Sequence, residues 1–196
     1  MLWVILAQVE YGPAAEDWKQ YRHDYRRTGR TPLSATCTSP SALYNAVHGS
    51  LDLSIIATRV NGGADHDIIA AERNNGVAAK DGATGSDIWS SVSESFTSPG
   101  IASVAASNQF VFANGYYRFW VLNLTNGLTV YSYDKPDARD ASPLIADINS
   151  DGCPEVFTSF GTLAVSINGC ATSYTTNWTY TLPASAFAPA LLRIGG

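Results

Sequence analysis

The sequence lacks any hydrophobic run long enough to cross a bilayer. Its apolar N-terminal stretch, Met1 to Ala7, is much shorter than the roughly 20 residues that a transmembrane helix needs. The basic residues that precede the apolar core of an intact signal peptide are also missing. We therefore expect no membrane span. We interpret this stretch as an ordered β-strand paired with a sheet edge, in this molecule or in a neighbour.

Net positive charge and the common catalytic motifs are missing as well. The formal net charge is −5 and charged residues make up only 15 % of the chain, so we expect no nucleic-acid partner. The chain contains no Gly-x-Ser-x-Gly nucleophile motif, no zinc-ligand spacing and no phosphate-binding loop. These absences favour a protein without catalytic activity.

Aromatic and other strand-forming residues are abundant. The chain has 10 Tyr, 7 Phe and 5 Trp, and hydrophobic residues make up 45 % of its 196 positions. That content is ordinary for a folded domain with a full core. The aromatic content, beside many Ser, Thr, Asn and Gly residues, predicts an all-β fold.

The sequence repeats itself with a period of 44 residues. Ser54-Ile-Ile-Ala, Ser98-Pro-Gly-Ile-Ala and Ser142-Pro-Leu-Ile-Ala follow one another at this interval, and the next step falls on Ala186. An aromatic residue closes each unit at nearly the same interval: Trp89, Tyr133 and Trp178. A repeat of about 40–50 residues with four short strands is typical of β-propeller blades.

The repeat therefore predicts three full four-stranded blades and part of a fourth. We assign residues 1–53 to an N-terminal strand and irregular wrapping segment. Residues 54–97, 98–141 and 142–185 form the three blades, and residues 186–196 form the first strand of the partial blade. A lone strand leaves sheet edges unpaired. The spare strands Leu2 to Ala7 and Ala42 to Val47 complete a fourth blade within the molecule or in a neighbour, and the second arrangement gives a ring or a filament.

The third unit contains an acidic loop with the spacing of a calcium site. Oxygen ligands stand at alternate positions of the loop: Asp147, Asn149, Asp151, the carbonyl of Cys153, and Glu155. Gly152 permits the sharp turn that such a loop needs. An EF-hand would have a bidentate Glu at the twelfth position, where this chain has Thr158, and a helix on each side. We predict a Ca²⁺ site in a loop that leads into a hairpin; the alternative is an Asp-rich turn that holds no metal.

The first unit has a related loop without the acidic pair. Residues 58–67 align without a gap on residues 146–155. Arg59 and Gly63 stand where the third unit has Asp147 and Asp151. We expect no metal in the first unit.

The cysteine pattern predicts one disulfide. If Gly161 and Thr162 form a two-residue hairpin turn, residues whose numbers sum to 323 face each other, and Cys153 faces Cys170. Facing residues in an antiparallel pair are close enough for a disulfide. We predict the bond Cys153–Cys170, with two buried free thiols as the alternative. Cys37 has no partner in this scheme and is available for pairing between chains.

A second hairpin turn is predicted at Asn114-Gly115. This dipeptide favours a type I′ turn, and strand-forming residues flank it on both sides. Bulky side chains on both faces of that hairpin indicate a sheet packed between neighbouring blades.

The expected compartment is extracellular or at the cell surface. A disulfide persists in an oxidising environment. The chain also contains two N-glycosylation sequons, at Asn123 and at Asn177.

Three stretches carry a resemblance to known families. The first, from Asp17 to Pro32, is similar to the segment that often precedes the first blade of secreted propellers of this type. The run from Asp147 to Ser159, DINSDGCPEVFTS, resembles the calcium loop and second strand of FG-GAP repeats. The run from Asn75 to Trp89 is similar to the end of a quinoprotein (PQQ-like) propeller blade. The resemblance covers residues 17–196 and implies a β-propeller, calcium at the acidic loop and an extracytoplasmic location. Quinoprotein enzymes carry an adjacent pair of cysteines, and this chain has no such pair.

These observations support one hypothesis about function over two others. The first is a non-catalytic, secreted, calcium-binding propeller with a structural or adhesive role. Its partners would be other copies of itself, assembled into a filament or surface array by strand exchange through the N-terminal segment or the C-terminal strand. The second is a fragment related to PQQ-dependent dehydrogenases. The third is a monomeric propeller that binds carbohydrate or protein.

Overall fold

The computed structural model describes residues 4–6, 51–63, 66–72, 76–91, 101–115, 117–135, 141–184 and 189–192. Every regular element within these ranges is a β-strand, which confirms the all-β fold class. Cys37, the strand predicted at Ala42 to Val47 and the N-terminal wrapping segment lie outside the described residues.

Twelve of the strands form three four-stranded antiparallel sheets in which each strand pairs with the next along the chain. The first sheet contains β2 (Leu51–Thr58), β3 (Asp67–Glu72), β4 (Gly76–Lys80) and β5 (Asp87–Ser90). The second contains β6 (Ile101–Ala106), β7 (Phe110–Gly115), β8 (Arg118–Asn123) and β9 (Thr129–Asp134). The third contains β10 (Leu144–Ala146), β11 (Glu155–Phe160), β12 (Leu163–Asn168) and β13 (Thr176–Thr181). We refer to these sheets as blades 1, 2 and 3.

Blades 1 and 2 pack face to face around one apolar core. Side chains from blade 1, such as Ile69 and Trp89, meet side chains from blade 2, such as Val111 and Leu122, in a single cluster. Most members of this cluster are fully buried, so the contact resembles a domain interior. Four-stranded antiparallel sheets packed on one another in this way are typical of propeller blades.

Blades 2 and 3 pack on each other through a second, more aromatic core. Phe112 and Phe119 of blade 2 lie against Phe160 and Val165 of blade 3. The rings of Phe119 and Phe160 are 5.9 Å apart between centroids. Blade 2 thus has a set of apolar side chains on each face. Blade 1 covers one set and blade 3 covers the other. This arrangement confirms propeller blades as the architecture of the described chain.

The N-terminal strip forms the strand β1 (Val4–Leu6), which pairs in parallel with β14 (Ala190–Leu192). The predicted ordered strand is therefore present, and its partner is a strand of the same molecule. The pair forms a separate two-stranded sheet beside the three blades.

The prediction of a hairpin turn at Asn114-Gly115 is wrong. Both residues belong to the end of β7, and the hairpin turn lies beyond them, because Asn114 pairs with Phe119. The side-chain amide nitrogen of Asn114, Nδ2, donates to the carbonyl oxygen of Ala141 at 2.5 Å and to Oγ1 of Thr158 at 3.2 Å. These buried hydrogen bonds between blades 2 and 3 override the local preference for a turn.

The aromatic repeat of the outer strands also needs one correction. A β-bulge interrupts the pairing of the outer strand at the same place in every blade, and it adds one residue to that strand. Just after the bulge, Trp89 faces Ala79, Tyr131 faces Val121 and Trp178 faces Ser166. The residue of blade 2 equivalent to Trp89 and Trp178 is therefore Tyr131, and not Tyr133. Burial raises the pKa of the Tyr131 hydroxyl to about 12.

We expect Gly115→Ala to destabilise the protein by about 1–3 kcal/mol, because overpacking a filled core costs that much. A Cβ atom at Gly115 would lie 2.5 Å from Cζ3 of Trp120, which is itself buried. Urea unfolding measures the change. The matched control is Gly63→Ala, where the nearest atom is the exposed Asn61 side chain, and we expect a change within about 0.5 kcal/mol. Equal effects of the two substitutions would contradict the packing described for Trp120.

Candidate metal-binding loop

The acidic loop lies between β10 and β11, where its backbone curls around its own side chains. The Asp147 carboxylate accepts hydrogen bonds from the amides of Gly152 at 2.9 Å and Asp151 at 3.2 Å. Farther along, the Asp151 carboxylate accepts from the amide of Cys153 at 2.7 Å. Ser150 and Gly152 both have positive φ, 59° and 82°, which produces the tight curl. The predicted turn at Gly152 is thus present.

Asn149 lies inside this curl. Its side-chain oxygen accepts from the amide of Asp151 at 3.1 Å, and its amide nitrogen donates to the Asp151 carboxylate at 3.0 Å. The first three predicted ligands, Asp147, Asn149 and Asp151, are therefore linked to one another by hydrogen bonds. They are oxygen donors on an accessible loop, which is the chemistry that Ca²⁺ prefers.

Glu155, the first residue of β11, closes the loop at its C-terminal end. It is only 6 % exposed, and its Oε2 accepts from the amide of Ile148 at 2.9 Å. Burial raises the pKa of the Glu155 carboxyl, and the negative charges of Asp151 and Asp147 raise it further, while the bond from Ile148 opposes the shift. The ionised form of Glu155 is therefore disfavoured in this loop unless a cation lies close to it.

Blade 1 closes its loop with the same hydrogen bond. Asp67 aligns with Glu155, and its Oδ2 accepts from the amide of Val60 at 2.9 Å, as Glu155 does from the aligned Ile148. This acidic residue, the ninth when Asp147 or the aligned Arg59 is counted as the first, is thus part of the fold that blades 1 and 3 share. Asp147 and Asp151 are not, because blade 1 forms the equivalent closure with Arg59 and Gly63 in their places. Sequence analysis missed this closing contact, although an acid at the ninth position of both aligned loops was its signal.

A disulfide anchors the end of the loop. Cys153 and Cys170 are bonded, with a Cα–Cα distance of 5.6 Å. The pairing of β11 with β12 has the predicted register, in which Glu155 faces Asn168 and Phe160 faces Leu163. Gly161 has a φ of 65°, as the first position of a two-residue turn requires. The disulfide therefore joins the end of the acidic loop covalently to the chain just after β12.

The remaining sequence-predicted positions lie elsewhere. Thr158, at the twelfth position, is buried between blades 2 and 3 and donates to the carbonyl of Ala141 at 3.3 Å, so it is not near the loop. The sequon residue Asn123 accepts hydrogen bonds from the amide and hydroxyl of Thr125 in the turn after β8. The second sequon residue, Asn177, is the extra residue of the bulge in β13 and is exposed.

The acidic side chains alone do not form a complete metal site in this structure. Within the described ranges, no three His, Cys, Asp or Glu side chains are grouped closely enough to hold a metal ion. The amide oxygen of Asn149 and the Cys153 carbonyl supply the other oxygens that the loop offers. The donor set fits a hard cation in kind.

Comparisons with known proteins give little beyond the structure itself. No described protein family matches the chain, and no curated protein matches it. Among solved structures, the chain is similar to BamB from Moraxella catarrhalis, with a TM-score of 0.45 and 16 % sequence identity. The match covers 65 % of this chain and 44 % of the BamB chain. The chain therefore spans less than half the length of that protein.

Two observations bear on the compartment. The structure contains a disulfide, which is compatible with an extracellular location. None of the elements within the described ranges is a helix that could span a membrane.

We expect the metal-free protein to lose stability as the pH rises above the ordinary Glu pKa of about 4.3. In this window the unfolded chain releases the Glu155 proton while the folded chain, with its raised pKa, retains it, so the free energy of unfolding falls with pH. Glu155→Gln keeps an oxygen for the Ile148 amide and removes the charge. Its free energy of unfolding, relative to wild type, should therefore increase across this window.

Urea unfolding between pH 4 and 7 in calcium-free buffer measures this difference. The matched control is Asp134→Asn, which removes a negative charge from an exposed residue that pairs with Arg118. Parallel pH curves for wild type and Glu155→Gln would show that Glu155 has no raised pKa.

Proposed function

We propose that this chain is a non-catalytic, secreted propeller module with a structural or adhesive role, and that its third blade binds Ca²⁺. The proposed ligands are Asp147, Asn149, Asp151, the Cys153 carbonyl and Glu155. The observation that supports the metal most directly is the comparison between blades 1 and 3. Both loops close through the acid at the ninth position, yet only the third blade adds Asp147 and Asp151. Because the shared fold does not need these two acids, a separate role for them is expected.

Electrostatics favour the same proposal. Burial disfavours the ionised form of Glu155 and raises its pKa, and the charges of Asp151 and Asp147 act in the same direction. A divalent cation bound in the loop would instead favour the ionised form of Glu155. The bound ion would join the curled loop to the start of β11, and the disulfide would extend that connection to the end of β12.

The proposed compartment suits a loop of this kind. Extracellular calcium modules bind with dissociation constants of about 10⁻⁴–10⁻³ M, and an exposed loop with one Asn and one carbonyl among its ligands belongs in that range. The disulfide beside the loop would persist in the same oxidising environment.

The proposed partners are further copies of the chain. Blade 3 presents an outer strand, β13, whose side chains are almost all exposed, including Trp178 and the half-exposed Tyr180. Strands β1 and β14 pair with each other within one chain, and exchange of either strand between chains is one route to assembly. Calcium would act on assembly by fixing the neighbouring loop of blade 3.

The calcium proposal predicts that Ca²⁺ stabilises the protein. At a calcium concentration 100 times the dissociation constant, the free energy of unfolding should increase by about 2.7 kcal/mol. Asp147→Asn retains an acceptor for the Gly152 amide but loses a charged ligand, and we expect at least a tenfold weaker affinity, about 1.4 kcal/mol. Isothermal titration calorimetry and thermal unfolding with and without Ca²⁺ measure both quantities.

Two controls accompany this measurement. Asp134→Asn removes one negative charge, as Asp147→Asn does, but outside the loop, and its calcium affinity should equal that of wild type. Mg²⁺ at the same concentration tests whether the response is only one of ionic strength. Equal responses of wild type and Asp147→Asn to Ca²⁺ would overturn the proposed site.

The structural role is tested by mass and by activity. Sedimentation of the chain in Ca²⁺ and in a chelator should show species larger than the 20.9 kDa protomer in at least the calcium sample. A single 20.9 kDa species at every concentration would overturn the assembling role. Dye reduction after addition of PQQ and an alcohol or sugar would overturn the non-catalytic role.

A further inference from the structure

Within the chain, an outer-strand tryptophan joins one blade to the next. Trp89 of blade 1 donates its indole N–H to the carbonyl oxygen of Leu124 in blade 2 at 2.9 Å. Its ring lies directly on Gly127, where a Cβ atom would be 2.4 Å from the ring carbon Cε3. As a result, Trp89 is only 8 % exposed. The turn between β8 and β9, residues 123–128, provides both the carbonyl oxygen and the glycine of this contact.

Blade 1 contains the same turn. In residues 81–86 the amide of Gly85 donates to the carbonyl of Asp81 at 2.8 Å, and in residues 123–128 the amide of Gly127 donates to the carbonyl of Asn123 at 2.9 Å. The two glycines have nearly equal positive φ values, 75° and 70°. Gly85 is thus the blade 1 equivalent of the glycine on which Trp89 lies.

The turn of blade 1 is accessible. Ala83, Thr84 and Ser86 are exposed, and Gly85 is half-buried. The Asp81 carboxylate accepts from the amides of Ala83 and Thr84, so its charge is engaged inside the turn. These exposed residues stand at the position that an indole ring covers in blade 2.

Blade 3 supplies the matching tryptophan. Trp178 lies just after the outer-strand bulge, the position that Trp89 occupies in blade 1. It is 36 % exposed, and its one ring contact in the described chain is with Phe157, at 6.1 Å between centroids. Among the described residues its indole nitrogen has no hydrogen-bond acceptor.

We propose that Trp178 of one copy docks on the turn of residues 81–86 of a second copy, as Trp89 docks on the turn of residues 123–128 within the chain. This inference rests on the self-assembly proposed above and identifies its surface. The occupant is a second copy because each half of the contact is built to the pattern of the internal one, and both halves are exposed among the described residues of one chain. The contact is heterologous, so successive copies form a closed ring or an open filament.

The test uses one substitution on each half of the contact. Trp178→Ser removes the ring from an exposed position, and Gly85→Asn places a side chain where the ring would lie. Asn tolerates positive φ better than other side chains, so the turn is preserved. Sedimentation velocity over a range of concentrations should show at least a tenfold weaker association for each variant than for wild type.

Mixing the two variants makes the test specific. Trp178→Ser keeps an intact turn and Gly85→Asn keeps an intact tryptophan, so an equimolar mixture should form a dimer although neither variant associates alone. The matched control is Leu128→Ser, which removes a 67 % exposed apolar side chain outside the contact and should associate like wild type. Circular dichroism of each variant verifies that the sheets are intact.

The outcomes separate the two proposals. A wild-type chain that stays monomeric at all concentrations would overturn self-assembly and this contact together. If wild type assembles and both variants assemble equally well, as strand exchange through β1 or β14 would allow, the contact is wrong while self-assembly stands. Loss of assembly in both variants without recovery in the mixture would also overturn the head-to-tail contact, since a symmetric interface behaves in that way.

Discussion

The described structure depends on one constraint: a sheet with apolar side chains on both faces must be covered on both. Blade 2 shows the requirement most clearly: Val111 and Leu122 face blade 1, whereas Phe112 and Phe119 face blade 3. Such a sheet has no face suited to water, so it is stable only between two neighbours. The propeller arrangement follows, because stacked and twisted sheets that each cover the next form a radial array.

Because the space between the blades is buried, the polar groups that lie there must form hydrogen bonds. The carbonyl oxygen of Ala141 accepts hydrogen bonds from Asn114, Thr158 and Ser103, which belong to both blades that it separates. A buried carbonyl without partners would be costly, and three donors from two sheets hold the sheets in one relative position. Between blades 1 and 2, the bond from Trp89 to the Leu124 carbonyl has the same effect at the outer rim.

Much of this arrangement was predictable from the sequence because it repeats. The 44-residue period predicted the blades, and the short turn at Gly161 fixed the register that brings Cys153 opposite Cys170. Where the prediction was wrong, a contact between blades decided the outcome. The Asn114-Gly115 pair has strong turn propensity, but buried hydrogen bonds across the sheet interface and the ring of Trp120 hold it in a strand. Such contacts join residues far apart in the chain, and local patterns do not encode them. The acidic loop was found from its spacing, whereas the contact of Glu155 with Ile148 required coordinates.

The bulge in each outer strand has a consequence for how such chains change over time. Because side chains alternate between the two faces of a strand, one added residue exchanges the faces of everything that follows it. The extra residues are Ile88, Val130 and Asn177, and in blades 1 and 2 the next aromatic side chain, Trp89 or Tyr131, packs in the core shared with the following blade. Losing that one residue would turn the aromatic toward the preceding blade and leave the rest of the sheet as it is. A single-codon deletion would therefore remove the aromatic contact at the outer rim while the core between the two sheets remains, so the rim contact and the core can change independently.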